Sequence, residues 1–269
     1  MSTEILTGPL GELRAASTAG GGTALTSTAT RIVLPIGTKW LSLTPRNLSG
    51  AAVVKFNVNP WLTVLKTTDL LVANLTDYSD AAQDSSTATD VVLSSLATLA
   101  NGGSLYVGAE VPFAGAEIDV DATNGTSATL AVTYWDGTTW TDISPTDGTT
   151  SGGKTFAQDG NVTWTVPTAW VKAALNDAVA GEMQNVGIFT HPLFWTRWAV
   201  SAAMDASTTL NSLIAINRST AYAELASGQS FEEAVTVGPG GICSVTALTD
   251  AGTANLIVNV ATRGGGRFM

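Results

Sequence analysis

Cysteine and histidine are almost missing from this chain, which has one of each, Cys243 and His191, among 269 residues. A lone thiol cannot build an intrachain disulfide framework. One thiol and one imidazole cannot form the multi-thiolate or multi-histidine cages that hold zinc, so no metal centre of that kind is expected. Cys243 reads as a small buried hydrophobe in a strand from Gly241 to Thr246. Charge is scarce as well: 13% of residues are Asp, Glu, Lys or Arg, with 12 basic against 22 acidic and a net charge of −10. That is roughly half the charged share of an average soluble protein. Phosphate-tracking proteins need clustered Lys and Arg to displace counterions, so direct nucleic-acid binding is not expected. Apolar runs of bilayer length are lacking, and Met1-Ser2-Thr3-Glu4 does not open a basic n-region followed by an apolar stretch. No membrane partner and no secretion by that route are expected. The sequons at Asn47, Asn74, Asn124, Asn161 and Asn217 then read as chance products of a Thr-rich chain.

What replaces the charge is Thr, Ser, Ala, Gly and Asn, with 45% hydrophobic residues to build a core. A neutral, Thr-rich surface costs little to desolvate over a large area, which suits a protein bound to neighbours. Residues 1–29, with Gly20-Gly21-Gly22 and no periodic apolar face, read as an extended N-terminal arm. Short β-branched or aromatic runs follow at Arg31 to Pro35, Lys39 to Thr44 and Ala51 to Asn57, separated by Pro, Gly and Asn. Leu62 to Leu75 fits either a strand pair or a short helix. Asp77 to Asp90 reads as a polar linker or long loop.

Further strand patterns lie at Ser104 to Ala109, Ala116 to Asp121, Thr126 to Trp135, Trp140 to Ile143 and Asn161 to Val166. Trp135-Asp136-Gly137-Thr138-Thr139-Trp140 is a hairpin signal, because Asp-Gly supplies the positive φ angles of a tight turn. Pro167 to Asp177 is the best helix candidate, with Trp170, Val171 and Leu175 on one side. Strands resume at Leu193 to Ser201 and at Thr208 to Asn217, where alternation places Leu210, Ser212, Ile214 and Ile216 on one face. Ser230 to Val237, Gly241 to Ala247 and Asn255 to Thr262 complete the series, and 263–269 read as a flexible C-terminal tail. The expected fold is mainly β. An antiparallel, jelly-roll-like β-sandwich occupies 103–218, and a second β unit spans 30–102, completed by 222–262.

Gly148-Thr149-Thr150-Ser151-Gly152-Gly153-Lys154-Thr155 matches the Walker A pattern letter for letter. That motif needs a buried strand before it and a helix after it, whose amides hold the phosphates. The flanking residues are turn-like and then strand-like, so Gly148 to Thr155 is taken as a chance match and no cofactor is expected. The serines lack the G-x-S-x-G elbow, and His191 sits beside Pro192 as a turn residue, so no catalytic residues are assigned. Glu117, Asp119 and Asp121 alternate with Ile118 and Val120, giving a solvated face opposite a buried one; calcium binding there is the lesser alternative. Trp135, Trp140, Trp164, Trp170, Trp195 and Trp198 are expected mostly in the core, although an exposed row could stack sugar rings.

The stretch Val132 to Ile143 resembles a pattern recurrent in structural proteins of tailed phages: a strand ending in Tyr-Trp, an Asp-Gly turn and a second Trp. A Gly/Thr-rich loop (Thr146 to Lys154), Asn161-Val162-Thr163-Trp164-Thr165-Val166 and Pro167-Thr168-Ala169-Trp170 continue it, and Phe194 to Val200 closes it. The resemblance spans 103–218 and implies assembly without catalysis. The expected role is a virion structural protein, assembled in the host cytoplasm, that decorates the capsid. It would bind the major capsid protein or other virion proteins through its terminal arms, as a homo-oligomer, with a trimer the first guess. A tail, neck or fibre-attachment protein and a carbohydrate-binding module are the alternatives.

Overall fold

The structure, a computed structural model, describes residues 12–14, 21–35, 38–49, 53–72, 74–83, 88–175, 192–217, 222–234 and 242–261. The first segment forms β1 (Glu12–Arg14), β2 (Thr23–Leu25), β3 (Thr30–Val33), β4 (Trp40–Arg46) and β5 (Val54–Pro60). The middle segment begins with β6 (Thr63–Thr67), β7 (Leu75–Asp77), a short helix α1 (Ser79–Gln83), β8 (Val91–Val92) and β9 (Ser104–Ala109). It continues through β10 (Gly115–Ala122), β11 (Leu130–Trp135), β12 (Trp140–Asp142), β13 (Thr146–Asp147) and β14 (Gly160–Thr163). It ends with β15 (Lys172–Ala173), β16 (Leu193–Val200) and β17 (Thr209–Ile216). The last segment forms β18 (Ala223–Leu225), β19 (Phe231–Ala234), β20 (Ile242–Thr249) and β21 (Ala254–Ala261). The protein is mainly β, built of antiparallel sheets with a sandwich-like arrangement.

The chain divides into two compact units, one from residues 1–59 with 220–269 and one from residues 60–219. In unit 1, β21 alternates without interruption, burying Ala254, Leu256, Val258 and Val260 and turning the residues between them outward. That period-two pattern docks it along the whole of β4, from Asn255 opposite Arg46 to Ala261 opposite Trp40. One sheet runs β1-β21-β4-β19, with β2 also on β21; the other runs β18-β5-β20-β3. Their inner faces meet in a core that includes Leu41, Leu43, Val54, Phe56, Val245 and Leu256.

Two expectations change here. The first unit stops at residue 59, not 102, because β6 pairs along β9 and β8 pairs with β17, which carries 60–102 into unit 2. The N-terminal arm is not wholly free. Glu12–Arg14 and Thr23–Leu25 both pair with β21, and Leu25 is buried in the unit 1 core. Neither stretch has a periodic apolar face. What recruits them is the open backbone edge of β21, which the hydropathy pattern does not display. Tail residues 263–269 lie outside the described residues.

Unit 2 has a sheet ordered β12-β11-β16-β9-β6-β7, with β15 also on β16, and a sheet ordered β13-β14-β10-β17-β8. Its main core takes Val64, Val107, Val132 and Trp198 from the first sheet and Ile118, Val162, Leu210 and Leu213 from the second. Trp195 and Trp198 differ by an odd number and point to opposite faces of β16, yet both are buried. Trp198 joins the main core, and Trp195 joins a second cluster with Leu65, Leu71, Tyr106, Leu175 and Leu193. The first sheet is therefore buried on both faces along its centre. Thr196 sits between the two tryptophans, fully buried, donating to the Val107 carbonyl (3.0 Å) and accepting from Trp198 Nε1 (2.9 Å). Thr196→Val takes the acceptor from the buried Trp198 indole and one donor from the Val107 carbonyl. A loss of about 1–3 kcal/mol is expected, read from the urea midpoint.

Local departures have identifiable causes. The run 62–75 resolves into strands β6 and β7, and the polar stretch 77–90 holds α1, which buries Ala82 and Gln83. Over 167–174 the expected helix at Pro167 to Asp177 gives way to a turn followed by β15, paired with β16 at Phe194 and Leu193; Leu175 is helical, and residues 176 and 177 lie outside the described residues. Trp170 is buried with its Nε1 on the Trp195 carbonyl (3.1 Å), and this anchor with the strand pairing overrides the helical pattern. Bulges between β10 and β17 break the alternation at Asn211, so the main core receives Leu210, Leu213 and Ala215, not the expected Leu210, Ser212, Ile214 and Ile216.

Candidate interaction surface

Many of the aspartates are engaged in closing loops. Asp136 closes the β11–β12 hairpin by accepting from the amides of Thr138 and Thr139 (both 2.8 Å) and the hydroxyls of Thr138 and Thr141 (both 2.9 Å). Asp205 accepts from the amides of Gly125, Ser207 and Thr208 and from the Thr208 hydroxyl, tying the loop before β17 to the loop after β10. Asp147 holds Thr149 and Thr150, and Asp69 holds Val72 and Asn74. These Asp-to-amide turns explain why the chain pairs Asp with Thr and Ser so often.

Such bonds favour the charged carboxylate. The amides of Thr139 and Thr138 hold Asp136 well below the usual aspartate range, and the Gly125 and Ser207 amides do the same for Asp205. A lowered folded value means the stabilisation is complete above the unfolded value, near ~3.9, and disappears as pH falls through the folded value. Titration from neutral pH should leave this contribution to the melting temperature intact down to about pH 4 and remove it below that. A double variant, Asp136→Asn with Asp205→Asn, should melt lower at neutral pH and lose less on acidification.

The Walker-like segment connects β13 to β14. Residues 156–159 form turns leading into β14, so no helix follows Thr155. Thr155 is fully buried, its amide on the Ala128 carbonyl (2.9 Å) and its carbonyl taken by Asn124 Nδ2 (3.1 Å). Thr149 is likewise buried, donating to Asp147 and accepting from the Phe156 amide (2.9 Å). A Cβ at Gly148 would lie 2.7 Å from the Asn161 carbonyl oxygen, so the first glycine is required by strand packing. The Gly and Thr content of this loop thus has structural causes of its own.

Glu117 and Asp121 are exposed and Asp119 half-buried on β10, with Ile118 buried behind them. Asp119 accepts from Asn211 Nδ2 (3.2 Å) and Asp121 from the Thr209 hydroxyl (2.9 Å). Among the described residues no three His, Cys, Asp or Glu side chains converge as a metal site. His191 and the side chain of Cys243 lie outside the described residues, although the Cys243 backbone falls in β20.

Of the tryptophans, Trp164, Trp170, Trp195 and Trp198 are buried. Trp135 and Trp140 face each other across the hairpin with ring centroids 5.6 Å apart, and Arg197 stacks over Trp140 at 4.9 Å. With Tyr106 edge-on at 5.6 Å as well, Trp140 serves mainly as a lid on the second cluster. A row of open rings for sugar stacking is not what this hairpin presents.

Two further features of unit 1 follow from its strand order. The chain enters β1 and leaves β21 at the same end of one sheet, since Glu12 lies opposite Ala261. Segments 1–11 and 262–269 therefore attach to the body at adjacent points. The sheet edges form the second feature: β19 carries exposed Glu232 and Glu233 and β18 carries exposed Glu224, while on the opposite edges β2 and β3 have no acid and β1, beside β2 on β21, contributes Glu12 and Arg14. Comparison with known protein families, curated proteins and solved structures finds no match to this chain.

Proposed function

We propose that this chain is a structural protein of a tailed-phage virion, decorating the capsid and attached to the major capsid protein through its two terminal segments. The observation that carries the proposal is the junction of β1 with β21. It brings Glu12 and Ala261, the points from which 1–11 and 262–269 continue, together at one sheet end, which supports engagement of a single neighbouring surface by both segments. Two tethers at one point raise each other's effective concentration, and weak contacts in each then add to firm attachment. Arg263 and Arg267 give the C-terminal segment a charge opposite to the acidic body.

Stapled, hydrogen-bonded loops and a charge-poor Thr surface support a role in assembly without catalysis, and the phage-like hairpin from Val132 to Ile143 supports the virion setting. A jelly-roll-like course for unit 2 belongs to the same proposal. The test is sedimentation of lysates from infected cells through a density gradient. The protein should travel with intact particles, and antibody against it should label their outer surface. Recovery only in the soluble fraction would overturn the proposal.

A further inference from the structure

Two Asn-Gly pairs occur in the chain, Asn101-Gly102 and Asn124-Gly125, and the fold treats them in opposite ways. In such a pair the asparagine side chain is open to attack by the next backbone nitrogen, because glycine has no Cβ to shield it. Asn124 is buried, with 2% exposure. Its Nδ2 donates to the carbonyls of Thr126 (3.0 Å) and Thr155 (3.1 Å), and its Oδ1 accepts from the Thr126 amide (3.0 Å). The Gly125 amide, the attacking group, is held by the Asp205 carboxylate. Both reacting groups are occupied, and the carboxamide is out of reach of water.

Asn101 differs on each point. It is exposed, and its carboxamide forms no hydrogen bond among the described residues. It ends a single turn of 3-10 helix, Leu99–Asn101, that is held by two carbonyls. The Thr98 carbonyl accepts from the amides of Asn101 (2.9 Å) and Gly103 (3.0 Å), and the Leu99 carbonyl accepts from the Gly102 amide (3.0 Å). The closed turn keeps the Gly102 nitrogen engaged and away from the side chain. One such turn opens at small cost, far less than unfolding a buried loop. Opening frees the amide and lets the backbone rotate it towards the Asn101 Cγ.

We propose that Asn101 is a site of spontaneous deamidation in the folded protein, that Asn124 is protected, and that isoaspartate at 101 loosens the turn carrying Leu70 and Leu71. The Gly102 nitrogen attacks the Asn101 Cγ, and a bond forms between them. The bond from Cγ to the side-chain nitrogen breaks, and that nitrogen leaves as ammonia with the proton given up by the amide. Water then opens the cyclic imide. Addition at Cγ gives aspartate, and addition at the main-chain carbonyl leaves Gly102 joined through Cγ, which is isoaspartate. That product adds a methylene to the backbone where the fold has no slack. Gly102 has φ +90°, and a Cβ on it would stand 2.7 Å from the Thr68 carbonyl oxygen. The Gly102 carbonyl accepts the Leu70 amide (3.0 Å). Leu70 and Leu71 both hold positive φ, 60° and 63°, a conformation that branched side chains keep only where their surroundings fix it. Leu71 is fully buried in the second cluster, so a displaced Gly102 is felt in the core of unit 2. The inference stands whether or not the protein belongs to a virion.

The test is ageing of the purified full-length chain at mildly alkaline pH, with peptide mass mapping that resolves Asn, Asp and isoaspartate at 101 and 124. In denaturant the two pairs should convert at similar rates, since the chemistry is the same. In the folded chain Asn101 should convert at least about tenfold faster than Asn124, the difference between opening one turn and opening a buried loop. Equal rates at the two positions, an Asn101 that stays intact, or faster conversion at Asn124 would overturn the site. Aged protein carrying isoaspartate at 101 should melt below fresh protein. Asn101→Asp adds the charge without the methylene and should melt close to fresh protein. Asn101→Gln, whose longer side chain does not close the ring readily, should age without the loss. An isoaspartate fraction that melts like Asn101→Asp, or Asn101→Gln protein that loses as much on ageing, would overturn the loosened turn.

Discussion

Trp195→Ala is expected to destabilise unit 2 by about 3–5 kcal/mol, the range for removing a large aromatic from a packed interior. Trp195 is fully buried, and its ring lies directly over Gly108 of the neighbouring strand, the residue opposite it in register. A Cβ at Gly108 would stand 2.6 Å from the ring, so the glycine exists to let the indole lie flat on the sheet. The indole also donates from Nε1 to the Ala173 carbonyl (2.9 Å), which fixes β15 on the edge of β16. Removing the ring therefore empties the centre of the second cluster, uncovers a glycine in a central strand and strands a carbonyl. Calorimetry should show the transition of unit 2 moved far down in temperature. Gly108→Ala is the complementary test: it leaves the ring and removes its seat, for about 1–3 kcal/mol of overpacking.

Deleting 1–11 together with 262–269 is expected to reduce attachment to particles assembled without the protein by more than about tenfold, while either deletion alone gives a smaller loss. The difference between single and double deletion follows from the adjacent attachment points at Glu12 and Ala261. Two tethers joined to one end of a sheet act on the same surface, so losing one removes its help to the other but leaves that contact in place, whereas losing both removes attachment. The truncation is placed outside β1 deliberately. Removing 1–29, the whole segment first read as an arm, would also remove β1, β2 and the buried Leu25, and would confuse attachment with stability. Full binding by the doubly truncated chain would separate the termini from attachment.

How much of this was legible in the sequence depended on whether a segment's signal lay in its own side chains. β21 was plain, because alternation over eight residues writes the buried face directly into the sequence, and β16 was plain from its run of aromatic and apolar residues. The hairpin at Trp135 to Trp140 was equally plain from Asp-Gly and its flanking aromatics. By contrast, β1, β2, β13, β15 and β18 are two- or three-residue strands whose placement comes from a partner's open backbone, and backbone hydrogen bonding leaves no hydropathy trace. The unit boundary at 59 was hidden for the same reason, since only pairing with β9 assigns β6 to unit 2. The bulge at Asn211 reversed a face that strict alternation had assigned, and a bulge is a property of two strands together.

For the surfaces, composition showed that acid was abundant and basic residues scarce, which set the charge but not its use. That aspartates close loops, and that Glu232 and Glu233 fall on an edge strand of unit 1, depended on tertiary placement. The Walker-like match showed the opposite hazard. Its glycine and threonines satisfy strand packing and buried hydrogen bonds, and the letters coincide with a phosphate loop that the fold does not build.

The most direct test of the central claim is the number of copies of this protein per purified particle. It can be obtained by quantitative mass spectrometry normalised to the major capsid protein. A decoration protein predicts a copy number equal to that of the capsid protein or a simple fraction of it. Absence from the particle would contradict the virion role, and a handful of copies per particle would contradict capsid-wide decoration.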